Sequence, residues 1–260
     1  MQSLSNQKNL KDCRILITND DGYDADGIKL LTEITEPMVK EVWVIAPLEE
    51  SSGSGHSLTV RRNIDVVQLS DRKFSVDGTP TDCVILALNQ IMESFRPDIV
   101  LSGINRGVNI AEDITYSGTV GAAYEATIAG VRAIAFSQEL STTTRIDWSS
   151  AKDNVGAVIQ GLYSKCWNPD CLFNVNFPKQ IIGKGQIKFS SQGRHKQGDE
   201  IALISNSLGK KSYRIGAVKL NKSVQENSDI EALRNGFISV TPISINHTDT
   251  VFKNSLENLP

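Results

Sequence analysis

Residues 14–22 read RILITNDDG, and this stretch decides the fold. Its first five residues form a short, nearly unbroken apolar run. A strand with no polar face must be covered on both sides, as in a parallel sheet clad by helices. The run ends in Asn19-Asp20-Asp21-Gly22, a turn composition. Working outward, the pattern repeats. Residues 41–46 (EVWVIA) are a second buried strand closed by Pro47. Residues 98–102 (DIVLS) and 132–137 (RAIAFS) are two more, and 172–177 is a further candidate. Between them, residues 27–34, 81–92 (TDCVILALNQIM) and 119–129 (TVGAAYEATIA) have helical spacing. Thr81 or Asp82 is available as N-cap of the second helix. Residues 64–69 and 73–76 alternate around Ser70-Asp71, as in a hairpin. Strands alternating with helices give an α/β fold, a Rossmann-like, mostly parallel sheet with helices on both faces.

The chain has 260 residues, 22% charged and 40% hydrophobic, with a net charge of −3. This suits one globular unit, 1–260, with a core of about 12–178. Residues 179–225 are rich in Lys, Ser, Gly and Gln, with alternating runs at 201–204 and 213–218 that read as hairpins projecting from the core. A returning segment, 226–260, carries a short helix near 230–234 and a strand at 236–241. The acidic balance and the lack of a long basic block argue against long nucleic acid as a partner. No apolar run approaches a membrane span. The polar first eleven residues do not resemble a signal peptide. Four scattered cysteines (Cys13, Cys83, Cys166, Cys171), with no CxxC, read as reduced thiols of a cytoplasmic protein.

Open α/β sheets bind ligands beyond the carboxyl ends of their strands. Asn19, Asp20, Asp21 and Gly22 follow the first strand. A loop of small polar residues, SSGSGHS (51–57), follows the second. Gly103, Asn105, Gly107, Asn109 and Asp113 follow the strand at 98–102. Two adjacent carboxylates repel unless a cation lies between them, and oxygen donors suit Mg²⁺ or Mn²⁺. Asn105 and a loop serine would complete the shell. Capping of the next helix is the competing reading of Asp20 and Asp21. Ser117, Gly118 and Thr119 precede a helix whose free N–H groups favour an anion, so they read as a phosphate cradle or as a plain N-cap. Asp77 to Asp82 reads as a turn into a helix cap, with Thr79 near the site. His56 is either a solvated loop residue or a group near substrate. His195 reads as a surface residue, with anion binding beside Arg194 as the alternative. Walker A, GxGxxG and HExxH patterns are missing.

The ordered set of motifs resembles the SurE family, the stationary-phase survival proteins. It comprises ILITNDDG (15–22), APLEESSGSGHSLT (46–59), GTPTDCV (78–84) and PDIVLSGINRGVNIAEDITYSGTVGAA (97–123), with looser matches at FNVNFP (173–178) and SVTP (239–242). The resemblance implies a metal-dependent 5′/3′-nucleotidase acting on nucleoside monophosphates, with short polyphosphate a further substrate candidate, and assembly as homodimers or homotetramers. It implies one divalent cation per subunit on Asp20, Asp21, Ser52 and Asn105. It places Asn19, Asn109, Ser117, Gly118 and Thr119 around the phosphate, with Asp20 or Asp21 orienting or deprotonating the attacking water. Residues 48–50 (LEE) depart from the family by being more acidic. A nucleotide-binding, metal-dependent sensor without turnover is the rival reading. A deacetylase is a third reading, disfavoured because no histidine adjoins Asp20 and Asp21. A haloacid-dehalogenase route would need DxD, whereas these aspartates are adjacent.

Overall fold

A computed structural model of the chain describes residues 8–142, 145–165, 167–182, 185–207, 210–220 and 223–256. The elements run β1 (Arg14–Thr18), α1 (Asp26–Thr35), β2 (Glu41–Pro47), β3 (Val66–Ser70), β4 (Lys73–Val76), α2 (Pro80–Leu86), β5 (Ile99–Arg106), α3 (Asp113–Tyr116), α4 (Gly118–Ile128) and β6 (Arg132–Gln138). They continue with α5 (Ser149–Tyr163), β7 (Cys171–Phe177), β8 (Ile187–Phe189), β9 (Lys196–Ser207), β10 (Lys210–Leu220), α6 (Asp229–Arg234), β11 (Ile238–Ser244) and α7 (Thr250–Leu256). Nine strands form one sheet in the order β3-β4-β2-β1-β5-β6-β7-β11-β8, and β9 and β10 form a separate antiparallel pair. The six central strands, β4 through β7 in that order, are mutually parallel. The antiparallel neighbours are β3 on β4 and β11 on β7. This is the Rossmann-like α/β fold with a separate hairpin.

Each central strand feeds two cores. Ile15 and Ile17 of β1 face one side, where they pack with Ile28 and Leu31 of α1 and Val155 and Ile159 of α5. Leu16 faces the other side, with Val84 of α2 and Val120, Ala123 and Ala126 of α4. Small residues on α4 let it lie close to the sheet. Phe136 and Phe177 stack at 6.1 Å in the first core. The chain runs outward from β1 through β2 to β4 on one side, then returns to place β5 against β1 on the other. The topological switch point therefore lies between β1 and β5, where Thr18 pairs with Ser102.

The structure departs from the sequence expectations at several boundaries. The second helix begins one residue earlier than expected. Thr79 is its N-cap, with Pro80 at the first position and Asp82 closing a capping box, so neither Thr81 nor Asp82 is the cap. Its regular part stops at Leu86. There the turn widens, with Met92 N–H reaching Ala87 O at 2.8 Å, and the Asn89 amide donates to Ile85 O at 2.8 Å. β5 runs past residue 102 because a bulge lets it continue: its register with β6 shifts between Ser102 and Asn105. Gly103 sits there at φ +135°, hard against the carbonyl of Phe136, where a Cβ has no room. α5 was not anticipated, although Ala151, Val155, Val158, Ile159 and Leu162 supply its buried stripe. Cys13 and Cys83 are buried free thiols and Cys171 is a partly buried one; Cys166 lies outside the described residues. No helix of the described residues is long and apolar enough to cross a membrane.

Candidate active site

The carboxyl end of β1 delivers Asn19 and Asp20 into the interior, and both are buried. The Asn19 amide donates to Gly22 O at 2.7 Å, which closes the turn so that Asp20 and Asp21 leave the strand in succession. Asp20 Oδ1 accepts the hydroxyl of Thr119 at 2.5 Å. A Cβ on Gly118 would lie 2.7 Å from Ser54 Oγ and 2.8 Å from Asp20 Cβ. The start of α4, the carboxylate of Asp20 and the loop at 51–57 therefore meet at van der Waals contact, and only glycine fits at 118. Ser51 N–H donates to Asp20 O at 2.7 Å, tying the loop to the β1 turn. Ser117 is the N-cap of α4, accepting Val120 N–H at 3.1 Å.

Asp21 joins the turn to β5. Its Oδ2 accepts the backbone N–H of Arg106 at 3.0 Å, the residue after Asn105. Asn105 directs its amide nitrogen to Gly107 O at 2.8 Å, which fixes the side chain at the strand end. Ser52 is exposed, its hydroxyl donating to Glu50 Oε1 at 2.8 Å. Ser54, which the sequence reading did not single out, has a buried hydroxyl against Gly118. Its signal was present as the third serine of the loop.

Asn109 is built into neighbouring strand ends. Its N–H donates to Asn176 Oδ1, its amide donates to Ser137 Oγ at 2.9 Å, and its carbonyl accepts the amides of Asn174 and Asn176. Asn109 is thus held by β6 and β7. The alternation of FNVNF at the end of β7 is the sequence trace of that network.

His195 is buried rather than on the surface. Its backbone N–H and that of Lys196 both donate to Glu112, and its imidazole Nε2 lies 3.7 Å from Asp113 Oδ2. Arg194 is exposed. The reason is the anchoring of the hairpin base: Asp229, fully buried, accepts N–H groups of Ala111, Gly193 and Ile230 and draws this segment inward.

The electrostatics follow from burial. Burial pushes the Asp20 carboxyl up, against the pull of the Thr119 hydroxyl and nearby N–H groups. Burial, then the charge of Asp20, pushes Asp21 up to about 6, with Arg106 opposing. Burial is the leading cause for both carboxyls, so their charged forms are poorly solvated where they stand. Asn19 Oδ1 and Ser54 Oγ are buried without a hydrogen-bond partner. Carboxylate, amide and hydroxyl oxygens beside such charge are the donor set of a hard divalent cation. Among the described residues no cluster of three or more His, Cys, Asp or Glu side chains forms, so an ion here would draw part of its shell from amide and hydroxyl oxygens.

The family model described as "Survival protein SurE" matches residues 15–199, which contain this whole constellation. The chain belongs to the SurE family. Among SurE relatives, the 5′-nucleotidase SurE of Paramagnetospirillum magneticum is 46% identical over 236 residues, covering 90% of this chain and 91% of its own. That of Rhodospirillum rubrum is 40% identical, with 92% and 93% covered. The crystal structure of the SurE protein of Aquifex aeolicus superposes with a TM-score of 0.81 at 35% identity, over 94% of this chain and 98% of that one. Every element of the site described above therefore sits on a SurE scaffold.

Proposed function

We propose that this SurE chain is a divalent-metal-dependent phosphomonoesterase that hydrolyses nucleoside 5′- and 3′-monophosphates to nucleoside and phosphate. The observation that carries the reading is the junction of Asp20 with Gly118 and Thr119: an anionic oxygen lies against the N-terminus of an eleven-residue helix. Names carried by relatives 46% and 40% identical support the nucleotidase class.

Asp20, Asp21, Ser52 and Asn105 would hold Mg²⁺ or Mn²⁺. Such a cation draws electron density from a phosphate oxygen and acidifies water. The chain's own groups do the rest. In this reading the start of α4 would receive the phosphate in exchange for Asp20, which takes the Thr119 hydroxyl and the N–H groups of Gly118 and Thr119 in the structure, and would meet the charge that develops toward the leaving oxygen. Asn19 and Asn109 would form walls of that cradle. Asp20 or Asp21 would orient the attacking water or take its proton.

The test is release of inorganic phosphate by the purified full chain from a panel of 5′- and 3′-nucleoside monophosphates, with Mn²⁺, with Mg²⁺ and with EDTA. Metal-dependent release abolished by EDTA is expected. Nucleotide binding without release at any metal concentration would establish the sensor instead.

A further inference from the structure

The loop at 51–57 brings the Ser54 hydroxyl against Gly118, yet apart from His56 it is built from serine and glycine and has no apolar side chain to anchor it. Its far end is held from outside. Gly55 N–H donates to Tyr116 O at 2.9 Å, and the loop backbone packs on Gly121 of α4. Beyond this contact the Thr79 hydroxyl donates to Ser57 O at 2.8 Å, and a side chain of the loop itself makes a second attachment. His56 Nε2 lies 2.8 Å from Glu125 Oε2, and the Glu125 side chain is only 18% exposed. Glu125 stands seven residues after Gly118, two turns along one face of α4. The helix whose first turn meets Asp20 therefore also grips the loop.

The His56 ring is fixed from a second side. It lies 5.1 Å from the Tyr124 ring, tilted by 57°. Tyr124 is itself pinned, donating its hydroxyl to Ile245 O at 2.6 Å and so accepting the Nε2–H of His247 at 2.7 Å. This arm holds the segment after β11 and leaves Tyr124 little freedom to swing. Because Glu125 is an acceptor, His56 must present a proton on Nε2.

We infer that His56 and Glu125 are positioning residues: their hydrogen bond holds the loop against α4 so that the Ser54 hydroxyl stays beside Gly118, at the junction with Asp20. The inference rests on the site reading proposed above. Neither residue is assigned contact with substrate. Outer contacts that orient a metal site are commonly worth 10- to 100-fold in affinity or rate.

The experiment uses the full chain with Glu125→Ala, and Glu125→Gln as the conservative variant whose amide oxygen still accepts the His56 N–H. Three quantities are measured: amide hydrogen exchange of residues 51–57, Mn²⁺ binding by calorimetry, and kcat and KM for a nucleoside monophosphate. Glu125→Ala is expected to speed exchange in the loop about tenfold and to weaken Mn²⁺ binding and kcat by about 10- to 100-fold. Exchange in β1 and β5 is expected to stay at the wild-type level, and Glu125→Gln is expected to recover most of each loss. Unchanged loop exchange and Mn²⁺ binding in Glu125→Ala would overturn the inference, as would equal losses in both variants, which would point to the charge rather than the tether. Loop exchange is read without turnover. A wild-type chain that hydrolyses no nucleotide would therefore defeat the functional reading while leaving the clasp measurable.

Discussion

The hydroxyl of Thr119 donates to the carboxylate of Asp20 at 2.5 Å, across 99 residues of sequence. This one bond welds the end of β1 to the start of α4. It brings the groups proposed to hold the metal into contact with the groups proposed to hold the phosphate.

Replacing Asp20 by Asn keeps the shape and removes the charge. Mn²⁺ affinity measured by calorimetry should fall by about 10- to 100-fold, and metal-dependent phosphate release should fall at least as far. Full Mn²⁺-dependent turnover in Asp20→Asn would refute the assignment.

Gly118→Ala places a methyl group 2.7 Å from Ser54 Oγ and 2.8 Å from Asp20 Cβ. The turn or the loop must move. A loss of about 1–3 kcal/mol is expected in urea denaturation, with activity reduced far more than the folded fraction. A variant as active and as stable as the parent would show that the junction is looser than described.

A bound cation stabilises the folded chain by mass action. Mn²⁺ at about 100 times its Kd should add about 2.7 kcal/mol. Thermal melts should show this as an upward shift of Tm that EDTA reverses and that Asp20→Asn lacks. A melt insensitive to both Mn²⁺ and EDTA would count against a metal on these oxygens.

Asp82 provides a pH test away from the site. Burial raises its carboxyl, but bonds from Thr59 and Thr79 outweigh that and hold it below the usual carboxylate range. A depressed folded pKa contributes stability above the unfolded value, and the contribution is lost as pH falls through the folded value. Asp82→Ala, which also opens the capping box, should therefore cost about 1–2 kcal/mol at pH 7 and progressively less as pH falls below about 4. A gap between variant and parent that stays constant from pH 7 to pH 3 would contradict this.

Much of the fold was legible locally. RILIT, EVWVIA and RAIAFS are buried strands because an unbroken apolar run leaves no polar face for solvent. α5 was missed although its stripe is regular, since Ser149, Lys152, Asp153 and Asn154 make its first turns look like a loop. Adjacent carboxylates in NDDG carried the metal reading, and the helix start at Ser117 carried the phosphate reading. His195 was misplaced because its burial depends on Asp229 and Glu112, which lie far away in sequence.

By itself the sequence determined the strand–helix alternation, the parallel sheet and the family, because periodicity and turn chemistry act over a few residues. Only the tertiary structure decided that the Ser54 hydroxyl is buried against Gly118, that Asn109 is locked between Ser137 and Asn176, and that His56 is tied to Glu125. The first and third of those contacts join elements brought together by the switch of strand order between β1 and β5, and the second joins the segment after β5 to β6 and β7. Contacts across such a switch depend on packing in three dimensions, which no local pattern encodes.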